Sequence, residues 1–538
     1  MKKIIFGFMA VAMCFTTACT DLKPEVYGDV IADNYFTTPE QFSNLIANAY
    51  AQMIGEYGYV YREGYWSMQE YTTDEVVIPT RGTDWYDNGV PIAMHQHTWT
   101  YNTRDINNGW SFAYGGTAKC NTVLRNIRQI KGTDESQYDA ATWAGIAEAK
   151  TLRAFYHFLA LDLYGNVTID SAVVENDPTK IVIKQYSSKE IYEFIEKELL
   201  ACIPQLTNDV RYGSMTRPVA YALLAKLYLN AERYAGEPQW EKCAACCDSI
   251  INGGYGYVLD NNYMNVFKTT NTNNPEIIFP IVFDAKYAKG NMFHLITLHY
   301  VHQDVYGLTT PPWNGPCTLE SFYNKYDDKD KRKAQWLVGP VLDEAGDTII
   351  YDTGNKAIGD NGKLPAVITA KVTKILDATK ANSFEGARFV KFEPEYGIEH
   401  HANSDFPIYR YADILLMKAE CLMRINGGMA NGEALALVNQ VHTRAGLEPY
   451  TTLDLDELLN ERGRELAWEG HRRQDLIRFG KYAEGKWEFM DKDEDGTSIA
   501  PSYRDEHVNI FPIPEWVMNA NPGVYEQNPG YVVAAPEE

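Results

Sequence analysis

The chain has 538 residues, 45% hydrophobic and 22% charged, an ordinary globular balance with ample apolar content for a large core. A formal charge of −23, with no Lys/Arg cluster large enough to reverse it locally, argues against nucleic-acid binding. The charge suits a neutral ligand, a cation or plain solubility, and the length fits several domains or one helical array packed as a single body.

The N-terminus opens with Lys2 and Lys3, then the twelve-residue apolar run "IIFGFMAVAMCF" from Ile4 to Phe15, then "TTAC" ending at Cys19. The run has signal-peptide length and falls short of the roughly 20 residues a spanning helix needs. A small residue directly before Cys19 matches a bacterial lipoprotein signal, in which that cysteine is lipidated and becomes the mature N-terminus. Thr16 stands where such signals usually carry Leu, so ordinary cleavage is the alternative. The predicted layout is a signal peptide over 1–18, a lipidated tether over 19–30 and one body over 31–538, with parts at about 31–255 and 256–538. No other stretch could span a bilayer, so attachment would be through lipid.

Helices come next, with readable ends. "TTPEQFSNLIANAYAQM" offers Thr38 as N-cap, Pro39 at the first helical position and Gln41 for a capping box, with Phe42, Leu45, Ile46, Ala49 and Met53 at helical spacing. "AEAKTLRAFYHFLALDLYG" places Leu152, Phe155, Tyr156, Leu159 and Leu163 on one face and stops at Gly165. "RPVAYALLAKLYLNAERYAG" runs from Pro218 to Gly236, and a cysteine-bearing helix, "PQWEKCAACCDSIIN", stops at Gly253 and Gly254. Together these two have the size of a tetratricopeptide unit, about 34 residues. "YADILLMKAECLMRING" with "GEALALVNQVHTRAGL" forms a second candidate unit, and "DLDELLNERGRELAWEG" a last helix from Asp454 to Gly470. The stretches 72–115, 255–320 and 340–405 are rich in Gly, Asn and Pro and read as long, functional loops on a mainly all-α body.

Chemistry-bearing motifs are few. Seven cysteines follow Cys19, an odd number that allows no complete disulfide framework. "CAACC" at 243–247 lacks the second pair or the histidines of a closed zinc site, and its cysteines read as small buried apolar residues. There is no G-x-S-x-G, H-E-x-x-H, Walker loop or G-x-G-x-x-G, and "EHH" at 399–401 has the wrong spacing for a helical metal pair. Paired glycosidase carboxylates would leave no local signature. Glu461, Glu465 and Glu469 alternate with Arg462, Arg464, Arg472 and Arg473 at spacings that suit a structural ion-pair network. In "DKDEDGTS", Asp491, Asp493 and Asp495 begin as a calcium loop does, but Ser502 stands where a bidentate Glu belongs, so a solvated acidic turn is the rival reading.

Aromatic residues in the loops follow neither a helical nor an alternating period: Trp85, Tyr86, Trp99 and Tyr101, then Tyr300, Tyr306 and Trp313. A large ring in a loop either plugs down into the core or faces a ligand, and the second use needs polar neighbours. A sugar presents a flat C–H face to a ring and hydroxyls to Asp, Asn or Arg. "RGTDWYDN" supplies both kinds of group, with Asp84, Asp87 and Asn88 beside Trp85 and Tyr86.

Four blocks, "AEAKTLRAFYHFLALDLYGNV", "SDFPIYRYADILLMKAE", "VNQVHTRAGL" and "ERGRELAWEGHRRQDLIRFGKY", resemble in content and order the SusD-like (RagB/SusD) family of Bacteroidota surface lipoproteins. The resemblance spans nearly the whole mature chain. It implies a helical body of four tetratricopeptide-like units with irregular insertions forming the binding face. It also implies no catalysis, a lipid anchor in the outer membrane facing outward, and a SusC-like TonB-dependent transporter as partner, receiving captured oligosaccharide or, in some members, peptide. "CTDLKPE" after Cys19 is similar to the surface-export tether of such lipoproteins. "DWYDN" matches the family's first aromatic loop through Trp85, Tyr86 and Asn88, and "PPWNG" resembles a later one through Trp313. Tyr300 and Tyr306 are candidates for the ring between them. The alternatives are a peptide-capturing lid and a transporter-docking scaffold with little ligand affinity of its own.

Overall fold

The computed structural model describes residues 39–55, 57–170, 183–490 and 505–531. Cys19, the signal and tether, Thr38 and the acidic run Asp491, Asp493, Asp495 lie outside them. Among the described residues there are seventeen α-helices and ten short strands in five two-stranded sheets. No helix there is long and apolar enough to cross a membrane. The helices stack in a series. Pro39–Tyr50 packs on Arg104–Lys131 and Ala140–Tyr164, the latter on Ser188–Cys202, and Arg217–Leu229 on Trp240–Ile251. Trp240–Ile251 in turn meets Tyr411–Ile425, which pairs with Gly432–Arg444. These are tetratricopeptide-like hairpins, and the segments between them form the irregular face. The cysteines from Cys120 onward are free and buried, as small apolar residues would be.

Several predicted ends hold. The first helix starts at Pro39, Asp454 caps Leu455–Leu466 by accepting from the Glu457 N–H at 2.9 Å, and Gly165 ends its helix at φ 66°. Three expectations need correction. Ala140–Tyr164 is not one-faced: every residue from Thr151 to Gly165 is buried, because helices pack on it from several sides. Its polar residues are therefore paired inside, Asp162 accepting from Arg233 at 2.8 Å, Tyr234 at 2.7 Å and Gln69 at 2.7 Å. The last predicted helix ends at Leu466 and not Gly470, because Trp468 turns to φ 62° and buries its ring, stacked 4.2 Å from Phe389.

The "loop" 72–115 gives way at Arg104 to a 28-residue helix, Arg104–Lys131, whose Asn and Gly content reads as irregular. Its glycines are packing sites. A Cβ at Gly109 would lie 2.6 Å from the Met68 sulfur and 2.7 Å from the Tyr164 hydroxyl, and one at Gly116 would lie 2.4 Å from the Tyr156 ring. Close approach of the two longest helices thus requires residues that lower intrinsic helix propensity.

The charged residues near the C-terminus form the network expected of them, but mostly between elements. Buried Arg410 donates to Glu276 at 2.7 Å, Glu465 at 2.6 Å and Glu469 at 2.6 Å. Arg444 joins Glu276 and Glu465, Arg332 joins Glu461, and Lys391 donates to Glu469 at 2.6 Å. Arg462 bridges Asp413 and Asp475, Arg472 reaches Asp74, and Arg473 reaches Asp162. Burial alone would raise the Glu465 carboxyl, but Arg444, Arg410 and Arg332 outweigh it and hold it well below the carboxylate range. The same balance lowers Glu461, Glu469, Asp413 and Asp475.

Gly116→Ala should destabilise the protein by about 1–3 kcal/mol through overpacking, against a helix-propensity gain of about 1 kcal/mol; urea unfolding reads the difference. Arg410→Met should cost about 3–5 kcal/mol, because it leaves three buried carboxylates short of a partner. Depressed carboxylates contribute stability that is complete above their unfolded pKa, near 4, and is lost as pH falls through the folded value. The parent should therefore lose stability below about pH 4.5. The Arg410→Met deficit should narrow over the same fall in pH, since the orphaned carboxylates can take up protons.

Candidate functional site

The irregular face is fixed from within by a buried arginine. Thr80–Arg81 pairs in parallel with Leu376–Asp377, and Arg81, fully buried, spends its guanidinium on backbone carbonyls. It donates to Asn314 O at 2.8 Å, Gly315 O at 3.1 Å and Glu385 O at 2.9 Å, tying three loops together. Arg388 completes the clamp from the far side, donating to Asn314 Oδ1 at 2.7 Å and Ser383 O at 2.9 Å.

Four residues beyond Arg81 the chain makes a tight turn with Trp85 at φ 63°, Asp87 at 47° and Asn88 at 56°. This sparsely populated geometry is held by the contacts of Trp85. Trp85 Nε1 donates to Trp313 O at 2.7 Å, and the two indole rings lie 6.4 Å apart at 49°. Gly315 makes room for the Trp85 indole, since a Cβ there would lie 2.3 Å from it. The Arg62 guanidinium sits 5.4 Å from the Trp85 ring centroid and 5.8 Å from that of Trp313, a cation held over two π faces. Asp84 accepts from the Tyr300 hydroxyl and from Lys380 Nζ at 3.2 Å. Burial first, then Asp84, raises the Tyr300 phenol, so it stays a donor at any physiological pH. The Tyr300 ring stacks 6.0 Å from Tyr351. Asp87 pairs with Arg104 at 3.2 Å.

The result is an open cleft of about 340 Å³ lined by Arg62, Asp84, Trp85, Asp87, Tyr300 and Trp313. Five of the expected residues meet in it, from segments more than two hundred positions apart. Three do not line it. Tyr86 and Asn88 point to solvent, Tyr86 being 49% exposed. Tyr306 packs half-buried with Leu298, Leu308, Val390 and Ile398. Trp99, one of the loop rings, is a core plug, 5% exposed and donating to the Tyr531 hydroxyl at 2.9 Å. Arg62 and Lys380 were not read from the sequence, for single cations in "YREG" and "ATKAN" carry no local signal.

A helical-repeat body carrying a loop-built aromatic cleft describes a class of ligand-binding proteins. The chain belongs to the SusD family, whose model matches residues 252–531; a second family model, described as "Starch-binding associating with outer membrane", matches residues 27–229. Starch-binding protein SusD of Bacteroides thetaiotaomicron is 27% identical over 428 residues, 74% of each chain. SusD-like protein P2 of Formosa agariphila is 23% identical over 99% of this chain and 100% of its own. Among solved structures, the surface glycan-binding protein A from Bacteroides thetaiotaomicron aligns at TM-score 0.68 and 21% identity, covering 92% of this chain and 100% of that one. A laminarin-binding SusD-like protein aligns at TM-score 0.68 and 22% identity with the same coverage.

Proposed function

We propose that the protein is a non-catalytic glycan-binding lipoprotein, anchored through Cys19 to the outer face of the outer membrane, that captures oligosaccharide for a SusC-like TonB-dependent transporter. The observation that carries this reading is the convergence of Trp85, Trp313 and Tyr300 around one open cleft. Each ring can cover a sugar's C–H face, and by analogy with aromatic pairs contributes on the order of 1 kcal/mol. Arg62, Asp84 and Asp87 supply donors and acceptors at the edges for hydroxyls. Tyr86 and Asn88, exposed next to Trp85, are where a ligand longer than the cleft extends. The names of several relatives, which speak of starch, laminarin or glycan binding, support the same class of ligand.

The test is affinity electrophoresis of the mature protein across a panel of polysaccharides, with the Trp85→Ala, Trp313→Ala double variant alongside and its thermal unfolding checked. Retardation by one glycan, lost in a folded variant, is the expected result. Retardation by none, with uptake through a co-expressed transporter unaffected by the double variant, would replace this reading with a docking scaffold. Binding of peptides alone would make the protein a peptide-capturing lid.

A further inference from the structure

On the other side of Arg62 and Trp313 lies a second, more enclosed cavity of about 480 Å³. Its floor is apolar, from Val60, Phe293 and Ile296. Its charged and titratable lining, apart from Tyr61, is Arg62, Lys289, His400 and His401, and among the described residues no carboxylate lines it. Arg62 is already paired with Glu63 and, at 3.7 Å, with Asp87 of the aromatic cleft, which leaves Lys289 as the lining cation open to a ligand. We infer that this cavity is a second station of the same groove, built to take a sugar unit that carries an anionic group, a carboxylate or a sulfate ester. The inference rests on the glycan-binding reading and narrows it to acidic oligosaccharides.

Three observations support the assignment. First, Lys289 and the two imidazoles are placed by the fold. The Gly55 N–H donates to Lys289 O at 2.5 Å, and Gly290, at φ 153°, presses so closely on its neighbours that a Cβ would lie 2.4 Å from the Phe283 ring. The histidine segment is fixed in turn by the Ala402 N–H on Asn291 O at 2.9 Å and by Asn403 on Glu395 at 2.8 Å. Lys289 is exposed and, among the described residues, makes no ion pair, so its charge is open to a ligand. Second, buried guanidinium groups hold the loop that follows the lining residue Trp313. Gly315, which follows the shared Trp313 and Asn314, donates its N–H to Ile296 O at 2.8 Å, and the carbonyls of Asn314 and Gly315 accept from the buried Arg81. Arg81 and Arg388 are bonded to backbone carbonyls, the Asn314 amide oxygen and the Cys317 sulfur, and among the described residues make no ion pair. Third, the cavity joins an apolar floor and an indole to a rim of one open lysine and two imidazoles. That arrangement suits a pyranose lying flat with its charge at one edge better than a free inorganic anion.

The overall charge of −23 does not oppose this. Exposed charges are screened beyond a Debye length of about 8 Å at physiological ionic strength, while charges buried beneath a pocket are screened much less. Local lining, not net charge, decides which ligand enters.

The experiment is titration calorimetry of the mature protein with equal-length oligogalacturonate, chondroitin sulfate, laminari- and malto-oligosaccharides. The Lys289→Gln, His400→Asn double variant and Trp85→Ala are run in parallel, each checked for parental secondary structure and melting temperature. The expected result is tighter binding of one acidic oligosaccharide than of any neutral one. The double variant should weaken it about tenfold, the size of one lost charge-assisted contact. Raising NaCl from about 50 to about 500 mM should weaken it as well. Chondroitin sulfate carries glucuronate carboxylates as well as sulfate esters, so its desulfated form is run beside it: loss of binding on desulfation identifies sulfate, and retention identifies the carboxylate. If a neutral oligosaccharide binds best, is lost in Trp85→Ala and is unmoved by the double variant, the aromatic cleft stands and the anionic station is overturned. Acidic binding that the double variant leaves intact overturns it too. If nothing binds, glycan recognition itself fails.

Discussion

The architecture depends on the pairing of Arg410 with Glu276, Glu465 and Glu469 inside a nearly dry interior. Such charges repay their desolvation only when geometry is tight and every lone pair is used. Arg410 ends the strand Phe406–Arg410, and its partners come from the turn before the strand Ile277–Ile281, from the Leu455–Leu466 helix and from the turn after it, so satisfying them fixes where those elements stand. Apolar packing would tolerate small slips between the same surfaces. A network of directional bonds tolerates few, and it sets the last helices against the strand pair Ile277–Ile281 and Phe406–Arg410.

From that anchor a short line of contacts reaches the aromatic cleft. Trp468, just beyond the network helix, donates its backbone N–H to Glu75 Oε2 at 2.9 Å and stacks on Phe389. The Glu75 carbonyl accepts from Thr318 at 2.6 Å, and Val77 bridges Cys317. A few residues on, Arg81 gathers the carbonyls of Asn314 and Gly315, and then Trp85 lies against Trp313. The loops that shape the cleft are irregular in secondary structure yet tied at short intervals to the most rigid part of the molecule. Preorganisation of this kind reduces the ordering entropy that a weak, ring-mediated contact would otherwise have to overcome.

Local grammar was readable in the sequence. Pro39, Asp454 and Gly165 mark helix ends because caps act over a few residues, and "DWYDN" and "PPWNG" mark aromatic loops because rings among Gly, Asn and Pro are conspicuous. What lies across from a residue was not readable. Gly109 and Gly116 look like loop glycines until Tyr164 and Tyr156 are seen against them. Trp99 and Trp85 have similar surroundings in the chain, but Phe511 and Tyr531 close over the first and solvent meets the second. Arg62 is one cation among many until two indoles converge on it.

The interlock of Trp85 with Gly315 couples two loops that are far apart in the chain. The indole occupies the space a side chain at 315 would need, and its N–H is held by the carbonyl two residues earlier. Neither loop can be exchanged alone: a larger residue at 315 evicts the ring, and a smaller one at 85 opens a void beside the glycine. The two loops, more than two hundred positions apart in the chain, therefore behave as one packed piece, and a change at either position is felt at the other.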